Sequence, residues 1–519
     1  MAATLTARGP ARQRSTRTSG VTALHVLATA ASLVAIVPLG YLVARAGGLG
    51  WGTVWDVLAQ ERTVALAVRS VGLAAAVALT CVVVGVPVAW LAARTDVPGG
   101  RWWLAVAALP LAVPSYVTAY TWVAAVPSVQ GFLPAWLLLS LSCLPYVVLP
   151  VAAVLSRVDP ALEDVARTLG AGPVSAFRRA VSPLLLPAAA AGGLLAALYV
   201  LSDFGAVSLL RFDSFTRVIY TSFRASFDRT TAAVLALVLV VLAVGFVLLE
   251  RRARGRDDRW RVGGGVSRVP TQIGLGRLRL PALAALVALY GLALGVPAVM
   301  LAVLMLRGRR AWDAGEWLAA AGNTVLASGV GTGIALVLAV PIGMLAARRV
   351  DRWTRVVESA AYLGHALPGV LVGLSLVSLG LAVLPGLYQS LALLGFGYAV
   401  LFLSNAIGSV RSAAVQVPPV LEEVGRTLGA GGLTTWRRIT VPMTAPGITA
   451  GALLVLVTAM KELPATLMLR PTGMDTLATE LWTRTAVGAY AEAAPYAVTL
   501  VLAAAVPAFL LAQLVGRTA

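Results

Sequence analysis

The chain has 519 residues, 59% of them hydrophobic and 12% charged, with a formal net charge of +19 and a mean hydropathy of +0.87. Soluble domains carry about 25% charged residues, so a water-soluble globular protein is excluded. The positive charge does not call for nucleic acid, because the arginines fall between apolar runs, where the positive-inside rule accounts for them.

Apolar runs of 18 or more residues recur, long enough to cross the roughly 30 Å hydrocarbon core of a bilayer. In lipid only helices and closed barrels satisfy their own backbone, and runs without alternation give helices. The expected class is an all-α polytopic membrane protein.

In chain order, residues 1–20 form a basic tail with Arg8, Arg12, Arg14 and Arg17. The apolar run at about 21–44 exceeds the roughly 7–15-residue core of a cleaved signal peptide, which predicts an uncleaved first span with the tail in the cytoplasm. Further spans are predicted at about 64–93, 102–126, 132–156, 183–201 and 231–249. A basic linker at 251–280, with six arginines from Arg251 to Arg261 followed by Gly263-Gly264-Gly265, separates a second set. That set lies at about 281–306, 322–347, 356–383, 388–409, 443–462 and 490–514.

The expected organisation is therefore a tail (1–20), a first half (21–250, core about 65–250), the linker (251–280) and a second half (281–519, core about 320–514). That makes about twelve spans in two six-helix halves. With the N-terminus inside, the arginine clusters fall on the cytoplasmic side, both termini are cytoplasmic, and the halves share one orientation as a parallel duplication.

The duplication is written most clearly in one polar block. Residues 163–192 match 422–451 at a constant offset of 259, with 14 of 30 positions identical. The matches include Glu163, Arg167, Leu169, Gly170 and Gly172 with Glu422, Arg426, Leu428, Gly429 and Gly431, then two arginines and two prolines in each copy. A second match, at offset 254, aligns Val86-Pro87 through Arg94 with Val340-Pro341 through Arg348, and Val113-Pro114-Ser115 with Leu367-Pro368-Gly369.

Each block reads as helix–turn–helix. Pro160 and Pro419 suit a first turn, the acidic residues favour a helix start, and the glycines stop it. Ala166, Leu169 and Phe177, with Gly425, Leu428 and Trp436, are the predicted apolar knobs. Two matching protrusions on one face point to docking of two copies of a cytoplasmic partner. Arg178, Arg179, Arg437 and Arg438 are placed to meet that partner or lipid phosphates.

Glu-x-x-x-x-x-x-Gly in a large cytoplasmic loop ahead of the last two spans of each half resembles the signature loop of binding-protein-dependent ABC importer permeases of the type I fold. The family's signature often opens Glu-Ala-Ala; here Asp164-Val165-Ala166 and Glu423-Val424-Gly425 follow the glutamates, which leaves the glycine and its spacing intact. The resemblance implies that Glu163, Arg167, Leu169, Gly170 and Gly172, with Glu422, Arg426, Leu428, Gly429 and Gly431, form coupling loops seated in two copies of an ATPase subunit. It also implies an extracytoplasmic substrate-binding protein and a place in the plasma (inner) membrane.

ATP and Mg would be held by the ATPase, with no cofactor bound by this chain and no catalytic residue in it. Lys461, the one lysine in the sequence, lies in Met460-Lys461-Glu462 and not after a glycine-rich loop, so a Walker A motif is not available.

A second paired feature follows the fifth span of each half: Asp203 in Ser202-Asp203-Phe204-Gly205 and Glu462 in Lys461-Glu462-Leu463-Pro464, again at offset 259. A carboxylate there either lines or gates the translocation path or caps the segment that follows. Together with Arg470-Pro471 and Asp475-Thr476-Leu477-Ala478-Thr479, these segments resemble the fused two-half ferric-iron permeases, with the fused thiamine permeases also similar. That implies ferric iron as the substrate. His25, His365, Cys81 and Cys143 are isolated and predict no metal site. An ion-coupled secondary transporter would need carboxylates or histidines within its spans, and a membrane enzyme would need an acid/base pair or metal-ligand spacing.

Overall fold

The long apolar runs form helices, as a backbone in lipid requires. The computed structural model describes residues 14–518 apart from 49, 157, 159–164, 167, 171, 173–174, 176, 225–228, 255–271, 309–312 and 350. Among the described residues ten helices are long and apolar enough to cross a membrane, or eleven if one pair bent by 87° counts as a single span. Most of the basic tail and of the linker lies outside the described residues.

The first half contains α1 (Arg14–Gly47), α2 (Glu61–Arg94), α3 (Trp102–Ala108), α4 (Ser115–Ala125), α5 (Phe132–Cys143), α6 (Pro145–Leu155), α7 (Ser182–Ser202), α8 (Gly205–Leu209), α9 (Phe215–Arg224) and α10 (Arg229–Arg254). The second contains α11 (Arg279–Tyr290), α12 (Val296–Arg307), α13 (Ala314–Arg348), α14 (Arg352–Tyr362), α15 (Gly369–Ala382), α16 (Leu391–Val415), α17 (Pro419–Thr427), α18 (Val441–Met460), α19 (Pro464–Leu469), α20 (Leu477–Ala486) and α21 (Tyr490–Thr518). The duplication shows in the packing: α7 lies on α2, α6 and α10, and α18 on α13, α16 and α21.

Two of the twelve expected spans are not continuous. The stretch predicted at 102–126 is α3, a 3-10 turn and α4, bent by 87°. Pro114 starts α4, and the residue before a proline is pushed out of the helical region. The stretch predicted at 356–383 breaks at the equivalent Pro368, between α14 and α15. Its first part, with Arg352, Arg355 and Glu358 on one side and Thr354, Val357 and Ala361 buried on the other, is amphipathic.

The broken stretch of the second half still carries the chain from one face to the other. Arg348, at the C-terminal end of α13, pairs with Glu422, which follows the C-terminal end of α16. Two successive long helices ending on one face require a crossing between them. At the opposite face Thr324 of α13 accepts a hydrogen bond from Leu477 N at 2.9 Å, and Ser70 of α2 accepts one from Phe215 N at 3.1 Å. Each half thus holds the first residue of α9 or α20 with a hydroxyl in the N-terminal third of its second span.

The opening helix of each half lies partly against the other half. Ala28, Ala31 and Ala35 of α1 share a core with Ala335, Ala339, Val357 and Ile407. Ser32 Oγ donates to Val357 O at 2.9 Å, and Tyr41 OH donates to Ser378 O at 3.1 Å. In return, α12 packs on α4, and Tyr290 at the end of α11 stacks on Trp103 with ring centroids 5.9 Å apart. The linker's far end is stitched into the first half, where Ile273 N donates to Arg94 O at 2.8 Å beside a β-bridge to Thr95.

Without a hydrophobic drive between helices in lipid, small residues set how closely they approach. A Cβ on Gly192 of α7 would stand 2.3 Å from the Tyr146 carbonyl oxygen of α6, where only backbone could yield. Gly192→Val is therefore expected to lower stability by about 1–3 kcal/mol through overpacking. A lower thermal midpoint and a broadened size-exclusion peak in detergent would register it; an unchanged midpoint would show that α6 and α7 separate freely.

Candidate functional site

The second polar block is fully described. Pro419 occupies the first turn of α17 and Glu422 lies near its positive end, as the dipole favours. The helix stops in a Schellman motif: Ala430 N donates to Gly425 O and Gly429 N to Arg426 O, both at 3.0 Å. This geometry needs a left-handed residue, and Gly429 supplies it at φ +85°. Gly170 of the first block takes the same left-handed conformation, at φ +86°. Gly431 starts the short helix Gly432–Thr435, and Gly172 is exposed at the equivalent place. Both blocks continue into a π-helical turn, Phe177–Val181 and Trp436–Thr440, that carries the exposed arginine pairs. Glu163 and Arg167 lie outside the described residues.

Leu428 is 81% exposed and Leu169 83%. Leu421, Val424 and Leu428 follow helical spacing, and all three are exposed, as is Val165 in the first block. The predicted knobs need one correction here. Gly425 faces inward, with Ile439 and Thr435 where a Cβ would sit. Phe177 is partly buried on the edge of Trp90, at 6.1 Å, whereas Trp436 is 44% exposed. The outward apolar stripe is Leu421, Val424 and Leu428.

Glu422 also points inward. Its Oε1 accepts from Arg348 Nη2 at 2.5 Å and from Thr440 Oγ1 at 2.8 Å, and its Oε2 lies 3.7 Å from Arg426 Nη2. Arg348 and Thr440 escaped the sequence reading, although Arg348 closes the second repeat match, opposite the buried Arg94.

The two carboxylates take the geometry of caps. Asp203 is 7% exposed; its Oδ1 accepts from Ala206 N at 3.0 Å and Val207 N at 3.2 Å, opening α8. Its Oδ2 accepts from the Ser115 hydroxyl at the start of α4. Glu462 Oε1 accepts from Ala465 N at 3.0 Å in the first turn of α19 and packs on Gly369 at the start of α15. Each carboxylate thus ties a short helix to the break in its own half's third span. Ser115 and Gly369, one of the two positions where Val-Pro-Ser and Leu-Pro-Gly differ, are the partners that no local sequence signal assigns.

The breaks also meet across the halves. Lys461 Nζ donates to Leu111 O at 3.0 Å, satisfying a carbonyl freed by the turn after α3. Tyr116 OH donates to Lys461 O at 3.3 Å, Tyr120 OH to Tyr490 O at 2.5 Å, and Phe204 lies 5.2 Å from Trp482. Among the described residues no three His, Cys, Asp or Glu side chains group as metal ligands.

The sequence that builds these blocks and breaks is similar to that of known proteins. The family described as binding-protein-dependent transport system inner membrane component matches residues 85–251 and again 339–517. An Fe(3+)-transport system permease protein of Haemophilus influenzae is 33% identical over 479 residues, covering 91% of this chain and 94% of that one. A sulfate transport system permease protein of Salmonella typhimurium is 32% identical over 239 residues, 42% of this chain and 85% of its own length. A molybdate/tungstate permease protein of Pyrococcus abyssi is 32% identical over 149 residues, 28% of this chain and 58% of that one. The chain is a multi-pass inner-membrane protein that belongs to the permease components of binding-protein-dependent ABC transport systems, and it carries the family's unit twice.

Proposed function

We propose that this chain is the complete translocation unit of an ATP-driven importer of ferric iron, with one ATPase copy seated on each polar block. The observation that carries the reading is the pair of outward apolar helix ends, at Leu169 and Leu428, each followed by a left-handed glycine on one face of the molecule. Exposed apolar stripes of this kind mark interaction surfaces. Two of them in one chain match two ATPase copies. That face is cytoplasmic and both termini lie on its side, as the distribution of arginines favours.

The chain itself holds no nucleotide; ATP and Mg bind to the partner. Closure of the ATPase dimer draws the two blocks together and rocks the halves about their junction, so that access alternates between the two faces. Asp203 and Glu462 hold the breaks in shape at that junction. An extracytoplasmic binding protein presents the substrate and selects it. Ferric iron is favoured by the relative that matches nearly the whole chain at 33% identity, whereas the sulfate relative matches 42% of it. Arg178, Arg179, Arg437 and Arg438 meet lipid phosphates at the rim of the blocks.

The test is uptake into proteoliposomes that contain the chain, its ATPase and the binding protein loaded with iron. Uptake of radioactive iron is expected to require ATP and to stop when the ATPase is omitted. Uptake sustained by a proton gradient without ATPase would make the chain a secondary transporter. ATP-dependent uptake of another solute with no uptake of iron would overturn the substrate alone.

A further inference from the structure

The inward carboxylate of α17 joins three elements at one point. Glu422 is attached to the block, Arg348 ends α13, and Thr440 closes the π-turn that leads straight into α18. The pair is largely withdrawn from solvent, with side-chain exposure of 21% for Arg348 and 17% for Glu422. At the far end of α18 stand Lys461 and Glu462, the residues that meet Leu111 and Gly369 at the two breaks. In the N-terminal third of α13, away from Arg348, Thr324 holds the first residue of α20. The exposed apolar side chains of α17, by contrast, are Val420, Leu421 and Val424, with Leu428 at its C-terminal cap.

We propose that Glu422 and Arg348 act on transport as a positioning pair, a tie that makes the second block, α13 and α18 one rigid body, while the exposed leucines do the docking. This rests on the coupling reading above and divides its labour between two faces of one helix. Half-buried charge-assisted hydrogen bonds hold geometry because neither partner regains full hydration when they part. Force applied at Leu428 then reaches the Glu462–Gly369 contact through α18 instead of being lost in rotation of α17. Arg94 occupies the place of Arg348 in the first half, buried at the end of α2.

A double-mutant cycle on the full complex tests this. Glu422→Gln and Arg348→Gln are each expected to lower ATP-driven uptake roughly tenfold, the worth of one charge-assisted bond. The ATPase should still co-purify and hydrolyse ATP. The double variant should be no worse than either single one, since both remove the same link. If the effects multiply, the residues act separately and the tie is wrong. If Glu422→Gln releases the ATPase while Arg348→Gln keeps it, Glu422 is a docking contact and the proposal falls. Uptake at the level of the unaltered protein in both also overturns it. Should the glutamine variants fail to reach the membrane, Glu422→Asp and Arg348→Lys carry the same cycle, each keeping its charge while moving it. Leu428→Asp is the control: if that variant keeps the ATPase and transports normally, the docking reading fails, whatever the cycle gives.

Discussion

Leu169→Asp combined with Leu428→Asp is expected to insert and fold normally yet to lose its ATPase. Both side chains are more than four-fifths exposed, so the chain itself gains little from them. Substitutions at such positions usually change stability by no more than about 0.5 kcal/mol. A carboxylate near a helix C-terminus adds about 0.3–1 kcal/mol of dipole penalty at Leu428, still a small cost. In a docked complex the cost is different in kind. An apolar anchor that fills a pocket is worth about 2–4 kcal/mol, and placing an unpaired carboxylate there adds desolvation. With two sockets altered, binding is expected to weaken by more than about a thousandfold, which removes co-purification.

Gly170→Asp with Gly429→Asp should act in the same direction but less strongly. At φ +86° and +85° a side chain costs about 1–2 kcal/mol per residue, and nothing stands within 4 Å of either site, so the strain stays local to the turn. The ordering is therefore leucine variant below glycine variant below the unaltered protein, read by pull-down of the ATPase and by iron uptake. A leucine double variant that still captures the ATPase and transports would remove the blocks from the coupling path.

What the amino-acid sequence disclosed follows from how local each signal is. The helices were legible because lipid imposes one backbone solution on an apolar run. The turns at Gly170 and Gly429 were legible because a left-handed residue after a helix selects glycine almost alone. The breaks at Pro114 and Pro368 were hidden by the same hydropathy that revealed the spans: Leu109 to Val126 and Leu367 to Ala382 stay apolar through the bend, and proline within membrane helices is common, as at Pro87, Pro187, Pro341 and Pro446. The inward turn of Glu422 depends on Arg348, 74 residues away, and no local pattern carries a contact of that range. Helical spacing does not separate the faces, since Gly425 lies three residues from both Glu422 and Leu428 and four from Leu421. Choosing which side faces out required knowing that Ile439 and Thr435 fill the space beside Gly425. The caps at Asp203 and Glu462 were foreseen as one of two readings; their partners Ser115 and Gly369 stand at the one position where the Val-Pro-Ser and Leu-Pro-Gly repeat looks least alike in chemistry.

That mismatch yields the last prediction. The first half closes its break with a side chain on α4 and a short carboxylate, Ser115 donating to Asp203. The second half uses no side chain and a carboxylate one methylene longer, with Glu462 lying where a Cβ of residue 369 would be. A Cβ there would stand 2.3 Å from Glu462 Oε1 and 3.0 Å from Pro464 Cγ. Gly369→Ala is therefore expected to push Glu462 off the Ala465 amide, leaving a displaced carboxylate and an uncapped helix at a cost of about 2–4 kcal/mol. Iron uptake should fall at least about tenfold, with a lower thermal midpoint in detergent. Gly369→Ser with Glu462→Asp rebuilds the first half's solution and should restore both measurements, although each change alone harms: the serine collides with the longer carboxylate, and the aspartate alone leaves a gap beside glycine. If the double variant is no better than Gly369→Ala, the two halves are not alternative packings of one joint. If Gly369→Ala is as active and as stable as the unaltered protein, the joint tolerates movement and the Glu462 cap does not set its shape.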